Sequence, residues 1–381
     1  MRWLCLVLGG RVPVRRGDRR RRHHRHGDGA VAAASPQHHA LDNLPRRAES
    51  LRAIAPFAAN PECPVPKPLM CDPSLFSQDL SGRTIVVTGG NSGIGLVTVE
   101  QLAKQGALVV LAARRPAEGE RARAELLQRV PAAKIEVAEL DLAKLDSVRQ
   151  FAAKLLAKHP VLHGLVNNAG VMNTPKSKTH DGFEMQFGTN HLGHFLLTEL
   201  LLPALKAGAP SRIVNVSSCL HDMAQGFEGR IDFDDPNFER RPYEGWQAYA
   251  QSKLANVLHA KSLARRLEGS RVTAVSVHPG WVRTNLIRHS LPVWMQNTIL
   301  RPALFFAGMI EPWEGTQTTL YALLAPEVAA QPGAFFSQTG VYRDKAAKKG
   351  GWPLHSPNPH AHDQAAADRL DTMSRTLVGL A

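Results

Sequence analysis

Six apolar runs separated by helical patterns constrain what this chain can fold into more than any other feature. From about Ser81 they read RTIVVTGG then VTVEQLAKQG, ALVVLAARR then PAEGERARAELLQRV, KIEVAELDL then DSVRQFAAKLLAKH, and afterwards GLVNNAGV, RIVNVSS and VTAVSVHPG. Each run is apolar along its length instead of alternating, as a strand must be when helices cover both faces of its sheet. Strands that alternate with helices lie parallel, so the pattern predicts an α/β fold with a doubly wound parallel sheet.

Composition sets the limits around that sheet. A chain of 381 residues, 44% hydrophobic, is long enough for one large α/β domain or two smaller ones. We read a single domain over residues 81–345, preceded by a basic extension (1–60) and a Pro-rich linker (61–80), and followed by a tail (346–381) that ends in the helical pattern DQAAADRLDTMSRTLVGL. The formal net charge of +13 is concentrated in the first fifty residues, around RRGDRRRRHHRHGDG, so no nucleic-acid partner is expected of the folded part. The extension reads equally as an organelle transit peptide or as a disordered basic arm without an address. The compartment therefore stays open between cytoplasm and organelle, with a soluble intracellular protein expected. Cys5, Cys63, Cys71 and Cys219 have neither zinc-site spacing nor the density of a disulfide framework, and no window approaches the roughly 20 apolar residues of a membrane span.

TGGNSGIG, Thr88 to Gly95, sits where the first strand ends and the first helix begins. There, free backbone N–H groups and the helix dipole converge on an anion. Gly89 would permit the tight turn, Gly93 a close approach of backbone to a pyrophosphate, and Gly95 the packing of helix on strand. The spacing differs from GxGxxG, and a plain tight turn is the competing account. Tyr249 and Lys253 stand four apart in the helical pattern AYAQSKLANVLHAKSLARRL and so share a face. An ammonium beside a phenol favours the phenolate, which predicts a lowered tyrosine pKa and a usable acid or base near neutrality. An exposed tyrosine with a solvated lysine is the bland alternative.

TGGNSGIG, NNAG (Asn167 to Gly170), NHLGHF from Asn190, NVSS ending at Ser218, YAQSK (Tyr249 to Lys253) and HPGWVRT ending at Thr284 occur in one order. In these motifs the chain resembles the short-chain dehydrogenase/reductase family, in its retinol dehydrogenase-like and WW-domain-oxidoreductase-like branch, over roughly Ser81 to Arg343. The resemblance implies a Rossmann fold and a catalytic set of Asn190, Ser218, Tyr249 and Lys253. In it Tyr249 exchanges the proton, Ser218 holds the substrate oxygen, Lys253 also holds the nicotinamide ribose, and Asn190 holds a relay water unless it merely satisfies local backbone. It further implies cofactor contacts at Gly89, Asn91, Ser92, Gly93, Ile94, Gly95, Arg114, Asp141, Leu142, Asn168, Gly170, Val282 and Thr284. Asp141 has a second reading as a helix N-terminal acid. The stretch between Ser218 and Tyr249 is longer than in many such enzymes, as in that branch. A homodimer through the helices bearing Asn190 and Tyr249 is also implied.

The second strand ends LAARR, without the carboxylate that binds an NAD ribose, and Arg114 with Arg115 could meet a 2′-phosphate. NADP(H) is therefore expected over NAD. The apolar segment NLIRHSLPVWMQNTILRPALFFAGMI, with Trp294, Phe305 and Phe306, suits a lid over a lipophilic small molecule such as a retinoid, steroid or fatty aldehyde. Core packing or a peripheral membrane contact reads nearly as well. His191 and His194 lack the further ligands of a metal site, and none is expected. A hydride-transferring oxidoreductase leads. A protochlorophyllide reductase-like enzyme and a non-catalytic NADPH-binding regulator are the alternatives.

Overall fold

The computed structural model describes residues 68–224, 226–284, 309–338 and 356–380. These lie within the unit Pro64–Ala381; the preceding unit, Met1–Cys63, falls outside them. The basic extension, Trp294, Phe305 and Phe306 of the expected lid, and the lysine-glycine stretch 344–353 are likewise outside the described residues.

Seven strands form one sheet in which every pairing is parallel: β1 (Thr84–Thr88), β2 (Leu108–Ala113), β3 (Lys134–Glu139), β4 (Gly164–Asn167), β5 (Ser211–Val216), β8 (Val272–His278) and β9 (Phe335–Ser337). A two-residue hairpin, β6 (Met223–Ala224) with β7 (Phe227–Glu228), lies in the stretch between Ser218 and Tyr249. The order across the main sheet is β3-β2-β1-β4-β5-β8-β9. It reverses at β1 and β4, and in open parallel sheets such a switch point is where ligands bind.

The strands are apolar throughout because alternate residues serve two separate cores. Ile85, Val87, Val109 and Leu111 pack with α1 (Gly93–Lys104), α2 (Pro116–Arg129) and α6 (Pro312–Leu324). Val86, Val110 and Leu165 face α3 (Leu145–Lys158), α4 (Gly193–Ala207) and α5 (Gly245–Arg266) on the other side. Burying each Leu or Val side chain stabilises the fold by about 1.5–3 kcal/mol. The edge strand β3 departs from this, with Lys134 and Glu139 exposed, as charges guard an open edge.

The segment read as a linker is, over its described part, docked onto the domain. Cys71, Leu75 and Leu80 are buried, and three side-chain amides hold its backbone. Gln338 exchanges hydrogen bonds with Leu69 at 2.7 and 2.9 Å, Gln317 Oε1 accepts from Cys71 N at 2.9 Å, and Gln105 Nε2 donates to Leu75 O at 2.8 Å.

The last helix, α7 (Gln364–Leu377), packs on α5 with Ala367 and Leu370 in the core. Arg266 of α5 grips Glu199 of α4 through two 2.8 Å contacts and also meets Asp371 of α7 at 2.8 Å, while Arg375 closes the set on Glu199 and Asp371. Part of the helix face expected to pair two copies is thus covered by the chain itself. Among the described residues no helix is long and apolar enough to cross a membrane.

Candidate active site

Because the strands are parallel, the residues that follow β1, β2, β3, β4, β5 and β8 emerge at one edge of the sheet. That edge collects the glycine turn, Arg114, Asp141, Asn168 with Gly170, Ser218, and Val282 with Thr284.

Gly89 and Gly93 have φ of +64° and +56°, the left-handed region where a side chain is strained. At Gly95 a Cβ would stand 2.4 Å from Gly89 O and 2.6 Å from Asn168 Nδ2. The turn is braced from β4, with Asn168 Nδ2 donating to Thr88 O at 2.8 Å. Ser92 is exposed at the N-cap of α1 without a side-chain cap bond, half-buried Ile94 is the second residue of the helix, and Asn91 Nδ2 reaches Glu118 at 3.4 Å. The first turn of α1 therefore presents backbone donors, and the cradle is one that any Cβ would fill, so these residues fit a bound pyrophosphate. Gly95→Ala should cost about 1–3 kcal/mol from overpacking and weaken nucleotide binding. Thermal unfolding with a nucleotide titration checks it; unchanged affinity would contradict the cradle.

Thr88 and His194, which sequence reasoning left without a role at the site, tie the turn to the next element. His194 is buried and its pKa falls to about 4, so the ring is neutral. Its Nδ1 donates to Asn190 O at 3.0 Å, which leaves Nε2 to accept from Thr88 Oγ1 at 2.9 Å. The same hydroxyl accepts from the N–H groups of Asn168 and Ala169, each at 2.9 Å. The signal was present in Thr88, a hydroxyl opening the glycine motif. His191 instead bonds Ser374 of α7 at 2.8 Å, and among the described residues no cluster suits a metal ion.

Asn190 lies in a π-helical turn, Gly188–Leu192, a local widening often found at functional positions. Its side chain is fully engaged: Oδ1 accepts from Val171 N at 2.8 Å, and Nδ2 donates to Val171 O and Ser252 Oγ, each at 2.9 Å. The amide thus engages local backbone and Ser252, and the carbonyl accepts from His194 Nδ1. Gly170 lies directly beside it; a Cβ there would be 3.1 Å from Asn190 Oδ1 and 3.6 Å from Lys253 Nζ.

Tyr249 and Lys253, both 3% exposed, share the buried face of α5. Lys253 Nζ lies 5.7 Å from the phenol ring centroid and donates to Val216 O at 2.9 Å. The Ser218 side chain lies close enough to the Tyr249 phenol to favour the phenolate, and its hydroxyl accepts from Leu220 N at 3.2 Å. Neighbouring Ser217 donates to Lys253 O at 2.7 Å, a purely structural bond. The expected lowering of the phenol pKa is corrected here. Burial penalises the phenolate more than its surroundings favour it, and the value moves well above that of an ordinary tyrosine. Burial likewise lowers Lys253 to about 8, and it pushes the Cys219 thiol up to about 12, leaving that sulfur unreactive.

The remaining expected contacts divide. Arg114 is exposed and makes no ion pair or hydrogen bond among the described residues, whereas Arg115 is paired with Glu118 at 3.1 Å. Asp141 Oδ1 accepts from Ala143 N at 3.0 Å in the turn that precedes α3, whose N-cap is Lys144. The side chains of Leu142 and Val282 are buried. The first is in the core with its carbonyl against Gly193, and the second packs on Gly315 and bridges Ile310. Only their backbones remain for a ligand. Thr284 stands against the glycine turn, its Cγ2 3.0 Å from where a Gly93 Cβ would be.

A nucleotide-cradling turn at the switch point of a doubly wound sheet, beside a buried Ser-Tyr-Lys cluster, defines a dinucleotide-dependent oxidoreductase. The family pattern described as short chain dehydrogenase matches residues 83–292, and the chain belongs to that family. It is 43% identical to human (Homo sapiens) retinol dehydrogenase 13 over 304 residues, covering 79% of this chain and 86% of that protein. It is 48% identical to mouse (Mus musculus) retinol dehydrogenase 11 over 259 residues, covering 68% and 78%. Among solved structures, an uncharacterized protein of Mycobacterium paratuberculosis superposes with a TM-score of 0.60 at 37% identity, covering 79% of this chain and 95% of that one. The chain is accordingly a retinol dehydrogenase-like oxidoreductase of a family that binds NAD(P). Neither the protochlorophyllide reductase-like nor the non-catalytic alternative is favoured.

Proposed function

We propose that the protein is an NADP(H)-dependent oxidoreductase that interconverts a carbonyl and an alcohol on a lipophilic small molecule of retinoid, steroid or fatty aldehyde type. The observation that carries this reading is the convergence of Ser218, Tyr249 and Lys253 in one buried cluster beside Gly170. A bound nicotinamide supplies the hydride. In reduction, Tyr249 gives its proton to the substrate oxygen, and Ser218 hydrogen-bonds the same oxygen as negative charge develops. Lys253, protonated below about pH 8, supports the charge left on the phenol. Asn190 keeps Gly170 and Val171 in place beneath the reacting groups and is the residue that would hold a relay water.

The guanidinium of Arg114, exposed and without a partner among the described residues, supports NADP over NAD, since a 2′-phosphate would give it one. Arg114→Asp should shift the ratio of NADPH to NADH affinity by roughly 10- to 100-fold toward NADH. Fluorescence titration with both nucleotides checks this, and equal affinities in the parent would remove the reading. The lipophilic substrate draws its support from the retinol dehydrogenases this chain resembles and from the apolar segment after Thr284. The test is NADPH consumption with retinal, medium-chain aldehydes and steroid ketones, followed at the nicotinamide absorbance. Turnover of small polar carbonyls only would exclude the substrate class.

A further inference from the structure

The turn that follows Ser218 is held by a part of the chain more than 120 residues away, and that contact has no role in the reading above. His221, fully buried, sits three residues after Ser218 with its ring 4.8 Å from that of Phe335 on β9. Its Nδ1 bonds the Ser218 carbonyl, which can only accept, so Nδ1 carries the hydrogen. Burial holds the ring neutral, with a pKa near 4, and Nε2 is left as an acceptor. The Ser356 hydroxyl donates to it at 2.6 Å. Two residues on, Asn358 Nδ2 donates to His221 O and Gly229 O, both at 2.7 Å. The strands of backbone it joins are so close that a Cβ on Gly229 would fall 1.7 Å from His221 O. Ser356 and Asn358 are themselves 2% and 1% exposed.

Both faces of His221 are therefore fixed by the C-terminal segment: its side chain by Ser356 and its main chain by Asn358. The imidazole passes that constraint to the Ser218 carbonyl, while the side chain of the same residue accepts from Leu220 N and lies close enough to the Tyr249 phenol to influence it. We propose that Ser356 and Asn358 are positioning residues for Ser218, acting through His221 to aim its hydroxyl at the substrate oxygen. The inference rests on the assignment of Ser218 made above. Neither residue touches the glycine cradle, so loss of either acts on the chemical step and not on nucleotide binding.

The full-length chain is used throughout, with NADPH and retinal. Ser356→Ala and Asn358→Ala are each expected to lower kcat by roughly 10- to 100-fold, the scale of a reacting group misplaced by about 1 Å, with the NADPH Kd within twofold of the parent. Ser356→Thr, which restores the hydroxyl, should recover most of the loss. In a Ser218→Ala background the same substitutions should have no further effect, since the group they position is gone. A full additional loss in that background, or an NADPH Kd that rises in step with the fall in kcat, would overturn the positioning role alone. Parent-like turnover by Ser218→Ala would instead overturn the assignment of Ser218, and the positioning role with it. Should Asn358→Ala fail to fold, the Ser356 pair decides, because only one hydroxyl changes.

Discussion

Tyr249→Phe is expected to lower turnover by roughly 10²- to 10⁴-fold, the range that a positioned general acid contributes, while fold and nucleotide affinity stay near those of the parent. The substitution keeps the ring that fills the buried face of α5 and removes only the O–H. Ser218 keeps its bond from Leu220 N, so stability should change by no more than about 1 kcal/mol. The direction of the phenol shift adds a second expectation. Because burial raises the phenol pKa, the group carries its proton across the neutral range and is poised as an acid. Reduction needs that proton and should be flat with pH through neutrality; oxidation needs the phenolate and should climb as pH rises. Initial rates in both directions between pH 6 and 9 test this, and a Tyr249→Phe protein that retains parent turnover would end the proposed proton transfer.

The sheet was legible because its signal is local: unbroken apolar runs that feed two cores, each closed by a turn residue. The cradle was legible for the same reason, since Gly89, Gly93 and Gly95 mark positions where no side chain fits. What could not be read depends on distant partners. The phenol pKa follows from how deeply α5 is buried, and sequence spacing gives only the lysine four residues away. Thr88 and His194 meet across 106 residues, and Ser356 reaches His221 across 135. Polar residues of that kind obey no periodicity, so they read as ordinary turn or helix residues until the fold brings them together. The prolines before Ser81 suggested an extended spacer. Extended backbone can also be packed, and it was Gln105, Gln317 and Gln338, inconspicuous in sequence, that satisfied its polar groups.

Acid should unfold this protein before it denatures most domains of similar size, because five histidines are buried in neutral form. His191, His194, His221, His259 and His278 are each at most 3% exposed. Burial lowers all five: His194 and His221 to about 4, His259 and His278 to about 3, and His191 well below the ordinary value of 6.5. The unfolded chain takes up protons as pH falls through 6.5, and the folded chain refuses them until about 4 or lower. Stability is thus fully present above 6.5 and is lost progressively below it. At pH 5 a ring held at about 4 or 3 costs about 2 kcal/mol, so those four cost about 8 together, comparable with the 5–15 kcal/mol that holds a typical domain, and His191 acts in the same direction. Glu184, whose pKa burial raises, works in the opposite direction, but it is one group against five. The Tm should therefore be nearly constant from pH 8 to 7 and fall steeply below 6, with cooperative unfolding near pH 5. His259→Phe gives the attribution: the ring already packs against Phe195 at 4.9 Å, its Nε2 has no partner among the described residues, and Asn215, which meets its Nδ1 at 3.4 Å, also donates to Asn256 O, so a phenyl group is accommodated and removes one proton site. That variant should lose less stability between pH 7 and 5 than the parent, and a parent whose Tm is unchanged across that interval would refute the argument. The histidines flank Asn190 and Ser218 and lie on the helix of Tyr249, so activity should disappear together with the fold and not ahead of it.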